Sequence, residues 1–225
     1  MKSFFQFVGR RGDCLEKSYF IVFDGLDGSG KTTQMLMASK YIFDLKRFDP
    51  VLLTREPTLR GFGEKMRGIL ASGEKPEAHA KKCLELYVED RKEHLKKDIL
   101  PIMKNKGSVV LCDRYKYSTY AYQLLQGIPK SLIDSIHEKI LVPDLVFIAD
   151  VPPAVCIARM ASDPARKGFH KFEKLDFMKK ARENYVSMKK LLPEENIVVI
   201  DADRPRDEIF RVVRKEIDKL IGIEK

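Results

Sequence analysis

The stretch that decides the fold runs from Phe20 to Thr33 and reads FIVFDGLDGSGKTT. It opens on four apolar residues, Phe20, Ile21, Val22 and Phe23, which read as a buried strand. Gly25-Leu26-Asp27-Gly28-Ser29-Gly30-Lys31-Thr32 then fits the pattern G-x-x-x-x-G-K-[ST]. A segment with helical patterning follows, from Thr33 to Asp44. Strand, glycine loop and helix in that order form the context of a phosphate-binding loop. The glycines let backbone N–H groups crowd around a polyphosphate, and the helix start adds its free N–H groups and positive dipole end. Residues Gly25 to Thr33 are therefore the expected ATP-binding stretch. Within it Lys31 reaches the outer phosphates, and the Thr32 hydroxyl suits Mg²⁺.

Outward from this loop, short apolar runs alternate with helical patterns. Val51 to Thr54, Ser108 to Cys112, Leu145 to Ile148 and Ile197 to Ile200 give four more strands. Near-continuous apolar runs of this kind suit parallel strands covered on both faces. Helical patterns fall on 61–71, 77–103, 118–126, 131–140, 152–160, 172–192 and 205–221. The first helix is expected to bury Met35, Leu36, Ala38, Ser39, Ile42 and Phe43 at 3.6-residue spacing. Pro101 should kink or end the long helix. The expected fold is α/β, a five-stranded parallel sheet with helices on both faces. We read residues 1–18 as an N-terminal arm and 19–225 as a single domain.

The chain has 225 residues, and its hydrophobic fraction, 44%, is ordinary for a globular protein. No apolar run approaches the roughly 20 residues that cross a bilayer. The N-terminus lacks the continuous apolar stretch of a secretory signal. Cys14, Cys83, Cys112 and Cys156 are scattered, with no histidine at ligand spacing, so neither a zinc site nor a disulfide framework is expected. A cytoplasmic setting fits. The net charge of +9 suits a protein that handles polyanions, either nucleotides or nucleic acid. Three Asn and four Gln in a Lys/Glu-rich chain lean toward heat-adapted composition.

Two further motifs follow apolar runs. Thr54-Arg55-Glu56-Pro57 and Asp113-Arg114-Tyr115 should both lie at carboxyl ends of strands, on the rim that carries the glycine loop. Arginines there can grip phosphate bidentately, and Asp113 can hold Mg²⁺ directly or through water. Surface ion pairs are the plainer reading of each motif alone. Tyr87 and Arg91, four apart, share a helix face. They form either a shelf and donor for a nucleobase, or a core tyrosine with Arg91 paired to Glu89 or Glu93.

Taken together, FDGLDGSGKTT, TREPT, LYVEDRKEH, DRYKYSTYAYQ and the basic RMASDPARKGFHKFE, in that order, resemble the thymidylate kinase family of P-loop nucleoside-monophosphate kinases. The resemblance implies a P-loop kinase fold with a lid at about 160–172. It also implies Mg²⁺-dependent transfer of the γ-phosphoryl group of ATP to dTMP, for dTTP synthesis, in a homodimer. In that frame Asp27 faces the sugar 3′-hydroxyl, and Arg55 and Arg114 hold the acceptor phosphate. Tyr87 stacks on thymine and Arg91 bonds its O4. Ser118 and Gln123 line the base and sugar pocket, and Tyr122 crowds C2′. Lys31, Arg114, Asp113 and a lid arginine are the implied catalytic set. Residues 201–204 lie by the adenine.

The sequence departs from the family pattern at Asp24, where Glu is usual, and at Tyr87, where Phe is common. Gly28 follows Asp27 where some members carry an arginine. The catalytic arginine is then of the lid type, with Arg166, Arg159 and Lys167 as candidates, Arg159 also at the ATP. The alternatives are another pyrimidine nucleoside-monophosphate kinase, or a P-loop nucleic-acid-binding ATPase using the basic surface. No stable nucleic-acid partner and no membrane are expected.

Overall fold

Strand β1 (Tyr19–Gly25) is the centre of a parallel sheet in the computed structural model, which describes residues 17–71, 80–164 and 174–223. Its neighbours are β3 (Val109–Asp113) on one side and β4 (Leu145–Asp150) on the other, with β2 (Val51–Arg55) and β5 (Ile197–Asp201) at the edges. The order is β2-β3-β1-β4-β5, and every pairing is parallel. All residues of β1 and β3 are buried, which explains their unbroken apolar runs; the edge strands are only partly covered.

Register places the future site. Phe23 lies opposite Asp113 on one side, and Arg55 lies opposite the same residue on the other. The glycine loop, Arg55 and Asp113-Arg114 therefore leave the sheet at one level. The chain turns from β1 toward one edge and from β3 toward the other, so a crevice opens between those strands.

Helix α1 (Lys31–Asp44) packs with α10 (Arg206–Leu220). Helix α5 (Lys116–Gln123) packs with α8 (Leu175–Val186) and, on its other flank, with α3 (Ala80–His94). The buried stripe of α1 is narrower than expected: Gln34, Met35, Ala38 and Ile42 face inward, while Leu36 is 53% and Phe43 37% exposed. Helix α2 (Gly61–Ala71) packs on α3.

The long pattern over 77–103 is not one regular helix. Residues 77–79 lie outside the described segments. After α3 a π-helical turn spans Leu95–Ile99, with the Leu100 N–H bonded to the Leu95 carbonyl, and α4 (Leu100–Met103) follows. Pro101 cannot donate to the carbonyl four residues back, and the widened turn upstream accommodates its ring. The expected helix over 172–192 breaks at Ser187, leaving α8 and a single turn α9 (Met188–Leu191). The Ser187 hydroxyl bonds back to the Asn184 carbonyl at 3.0 Å, a local alternative to the helical ladder. The remaining helices are α6 (Lys130–His137) and α7 (Pro153–Ala161). Among the described residues no helix is long and apolar enough to cross a membrane. Cys83, Cys112 and Cys156 are buried free thiols.

Candidate active site

The glycine loop takes its shape from positions where a side chain does not fit. Gly28 has φ 79°, and a Cβ there would stand 2.5 Å from the Cys156 carbonyl oxygen on α7. Gly30, at φ 84°, starts α1 without any side-chain cap. The first-turn N–H groups, including those of Thr32 and Thr33, are thus left for an external anion.

The charged groups converge at this loop. The Lys31 ammonium is buried, 3.3 Å from the Leu26 carbonyl and 3.6 Å from Asp27. Burial, and next the nearby Arg114 guanidinium, lower its pKa; Asp27 and Asp113 oppose that shift. Arg114 donates from Nη2 to Asp27 at 2.7 Å, and from Nη1 to Ser118 at 2.9 Å and Tyr185 at 3.1 Å. Burial is the largest single influence and works against its charge, but Asp27, Tyr185, Tyr122 and Asp24 together outweigh it and raise the pKa well above the usual value. Arg114 sits at φ 72°, in the left-handed region. For a non-glycine residue this costs on the order of 1–3 kcal/mol, a form of strain common at functional sites.

A cleft of about 340 Å³ opens beside these groups, lined by Thr32, Asp113, Thr54, Arg55, Arg60 and Asp98 among others. Thr32 donates its hydroxyl to Oδ2 of Asp113. Oδ1 of Asp113 is buried and has no hydrogen-bond partner among the described residues, an unmet acceptor beside a hydroxyl. Arg55 is exposed at the cleft wall.

On the other side of Arg114, Tyr122 places its ring 5.8 Å from the guanidinium carbon and meets Tyr185 edge-on. Tyr87 is half-buried on α3. Burial raises its hydroxyl pKa, and the charges of Arg114, Asp27 and Arg91 all act on that hydroxyl. The tyrosine therefore shares a neighbourhood with the arginines. Arg91 is 1% exposed and pairs with neither Glu89 nor Glu93, which hold Lys92 and Lys97 instead. Its Nε donates to Glu56 at 2.7 Å. Gln123 is buried at the end of α5, its amide toward Gln126 at 3.4 Å. Arg159 lies at the end of α7 against the Ala202 carbonyl and Asp203. Arg166, Lys167 and the basic stretch over 165–173 lie outside the described residues, as does most of the N-terminal arm.

Tyr185 and the role of Glu56 escape sequence reasoning, and Asp24 enters it only as a departure from the family pattern. Asp24, fully buried, accepts five hydrogen bonds: from the backbone of Gly25, Tyr115 and Ser118, and from the hydroxyls of Ser118 and Tyr185. A lone acid ending an apolar strand was its available signal. Tyr185 comes from α8, 161 residues from Asp24, and carries no local signal. Glu56 is buried in the TREP segment and bonds both Arg91 and His94.

The family model described as thymidylate kinase matches residues 23–213. A probable thymidylate kinase of Pyrococcus abyssi is 35% identical over 209 residues, covering 89% of this chain and 98% of that protein. A thymidylate kinase of Onion yellows phytoplasma is 32% identical over 212 residues, covering 91% and 99%. The crystal structure of thymidylate kinase from Ehrlichia chaffeensis aligns with a TM-score of 0.69 at 30% identity, covering 89% of this chain and 99% of that one.

Proposed function

The chain belongs to the thymidylate kinase family, and on that premise we propose how its cleft works. The enzyme transfers the γ-phosphoryl group of ATP to dTMP, giving ADP and dTDP. The observation that carries this reading is the meeting of Lys31, Asp27 and Arg114 at an uncapped helix start, with Arg55 on the adjoining cleft wall.

ATP lies along the glycine loop, its outer phosphates against Lys31 and the first-turn amides. Polyphosphate there relieves the penalty that burial imposes on the ammonium. Arg55 and Arg114 hold the acceptor phosphate. Its oxygen is already ionised at neutral pH, so the protein need not remove a proton. That oxygen attacks the γ-phosphorus while the bond to the β-phosphate oxygen breaks. The chain's contribution is alignment and stabilisation of spread negative charge. Thr32 and Asp113, a hydroxyl beside a carboxylate with an unmet oxygen, fit Mg²⁺. When bound, Mg²⁺ supplies charge neutralisation at the phosphates. Arg159 and Arg166 are the lid-side basic residues, and the segment at about 160–172 excludes water. Tyr87 stacks on the base, Arg91 donates to its O4, Asp27 faces the 3′-hydroxyl, and Ser118, Tyr122 and Gln123 complete the pocket. Residues 19–225 act as one domain, in a homodimer.

Acceptor choice tests the reading. A donor aimed at O4 rejects cytosine, which presents an amino group, whereas uracil differs by one methyl worth about 1–3 kcal/mol. ADP release with dTMP, dUMP, dCMP and AMP should rank dTMP first, dUMP modestly behind, and dCMP and AMP far below. A preference for AMP or dCMP would reassign the acceptor.

A further inference from the structure

Arg91 is held more tightly than an arginine that merely balances a charge. Its Nε donates to Glu56 at 2.7 Å; Nη1 lies 2.6 Å from Nε2 of His137 and 3.3 Å from Oγ1 of Thr119. The guanidinium carbon stands 5.1 Å from the centre of the Tyr115 ring. Nη2 alone has no partner among the described residues.

The tautomer of His137 follows from its other nitrogen. Nδ1 lies 2.8 Å from the Ile133 carbonyl, which can only accept, so Nδ1 carries the proton and Nε2 offers a lone pair to Arg91. Burial first, then the cations of Arg91 and Lys116, push the ring's pKa down to about 2. It is a neutral acceptor. Glu56 is steadied from its far side by His94, whose Nε2 is 2.6 Å from the Thr54 hydroxyl. One carboxylate thus balances the guanidinium's charge, and a neutral ring fixes its rotation. A second carboxylate at position 137 would leave net negative charge beside an uncharged base.

We propose that His137 is a positioning residue for base specificity: by accepting from Nη1 of Arg91 it leaves Nη2 as the single donor available to the acceptor's ring carbonyl. This rests on the assignment of Arg91 to the base in the proposed function.

The test compares His137→Met, similar in bulk but without an oxygen or nitrogen acceptor, with His137→Gln, which keeps one. Steady-state kinetics with dTMP and dCMP are read beside the melting temperature. The Met variant should raise KM for dTMP about tenfold, the loss expected for one hydrogen bond of ~1.4 kcal/mol. It should leave kcat within about twofold and lower the dTMP-to-dCMP ratio of kcat/KM. The Gln variant should recover most of both. A folded Met variant with wild-type KM and ratio overturns the inference. Should the Met variant not fold, a folded Gln variant that has lost the wild-type ratio overturns it equally. If the wild-type enzyme itself fails to favour dTMP over dCMP, the assignment of Arg91 falls first, and this inference with it.

Discussion

At one end of the proposed acceptor site Arg114 is paired with Asp27, a carboxylate whose side chain is 46% exposed, and Arg55 stands open on the cleft wall. At the other end Arg91 is sealed among Glu56, Thr119 and His137. A phosphate brings its own charge and can compete with Asp27 for Arg114, so that end tolerates loosely held partners. A base carbonyl is uncharged, and a net hydrogen bond to it contributes only about 0.5–1.5 kcal/mol. A donor for such a group is effective only if its orientation is fixed beforehand. The loose end therefore suits affinity for any phosphorylated acceptor, and the sealed end suits choice among bases.

The contrast breaks most visibly at Lys31. Lys31→Met should lower kcat by about 10³ or more, since no other ammonium among the described residues sits in the loop. Thermal scans should show a melting temperature unchanged or raised, because burial disfavours the charge that is removed. An active Lys31→Met enzyme would refute the phosphate-site reading.

Paired substitutions sharpen the comparison. Glu56→Gln leaves Arg91 charged and buried without its carboxylate, and should cost roughly 3 kcal/mol of stability. For a chain of this size that is about 6–12 °C in melting temperature. Arg55→Ala, at the open end, should shift the melting temperature by no more than about 2 °C, yet raise KM for dTMP. Equal thermal losses in the two variants would erase the distinction.

A smaller effect appears in acid. His137 stays neutral in the fold down to about 2, whereas in the unfolded chain it takes up a proton near 6.5. Between those values the unfolded state binds more protons, so this group's contribution to stability is lost as pH falls below about 6.5. Urea midpoints measured from pH 7 to 4 should decline less steeply for His137→Gln than for the wild type.

The strands were legible because parallel strands covered on both faces are written as unbroken apolar runs, and all five stand within two residues of expectation. The convergence of Lys31, Arg55, Asp113 and Arg114 was legible because these residues sit in one continuous loop and at two strand ends fixed by register. The surroundings of Arg91 were not. A helix pattern offers Arg91 its near neighbours Glu89 and Glu93, whereas folding delivers Glu56 from 35 residues away and His137 from 46. Leu36 and Phe43 were misplaced because spacing alone does not say how wide a buried stripe is. The turn at 95–99 was hidden because a single inserted bulge barely disturbs a 3.6-residue pattern.

Asp24 has a mechanical meaning. Its two oxygens fasten together the end of β1, the bend after β3 and helix α8. Stretching any one of these away from the others would strand a buried anion in a dry interior. These three pieces must therefore travel as one rigid jaw, and whatever shape change accompanies turnover has to pivot in the chain beyond that clasp.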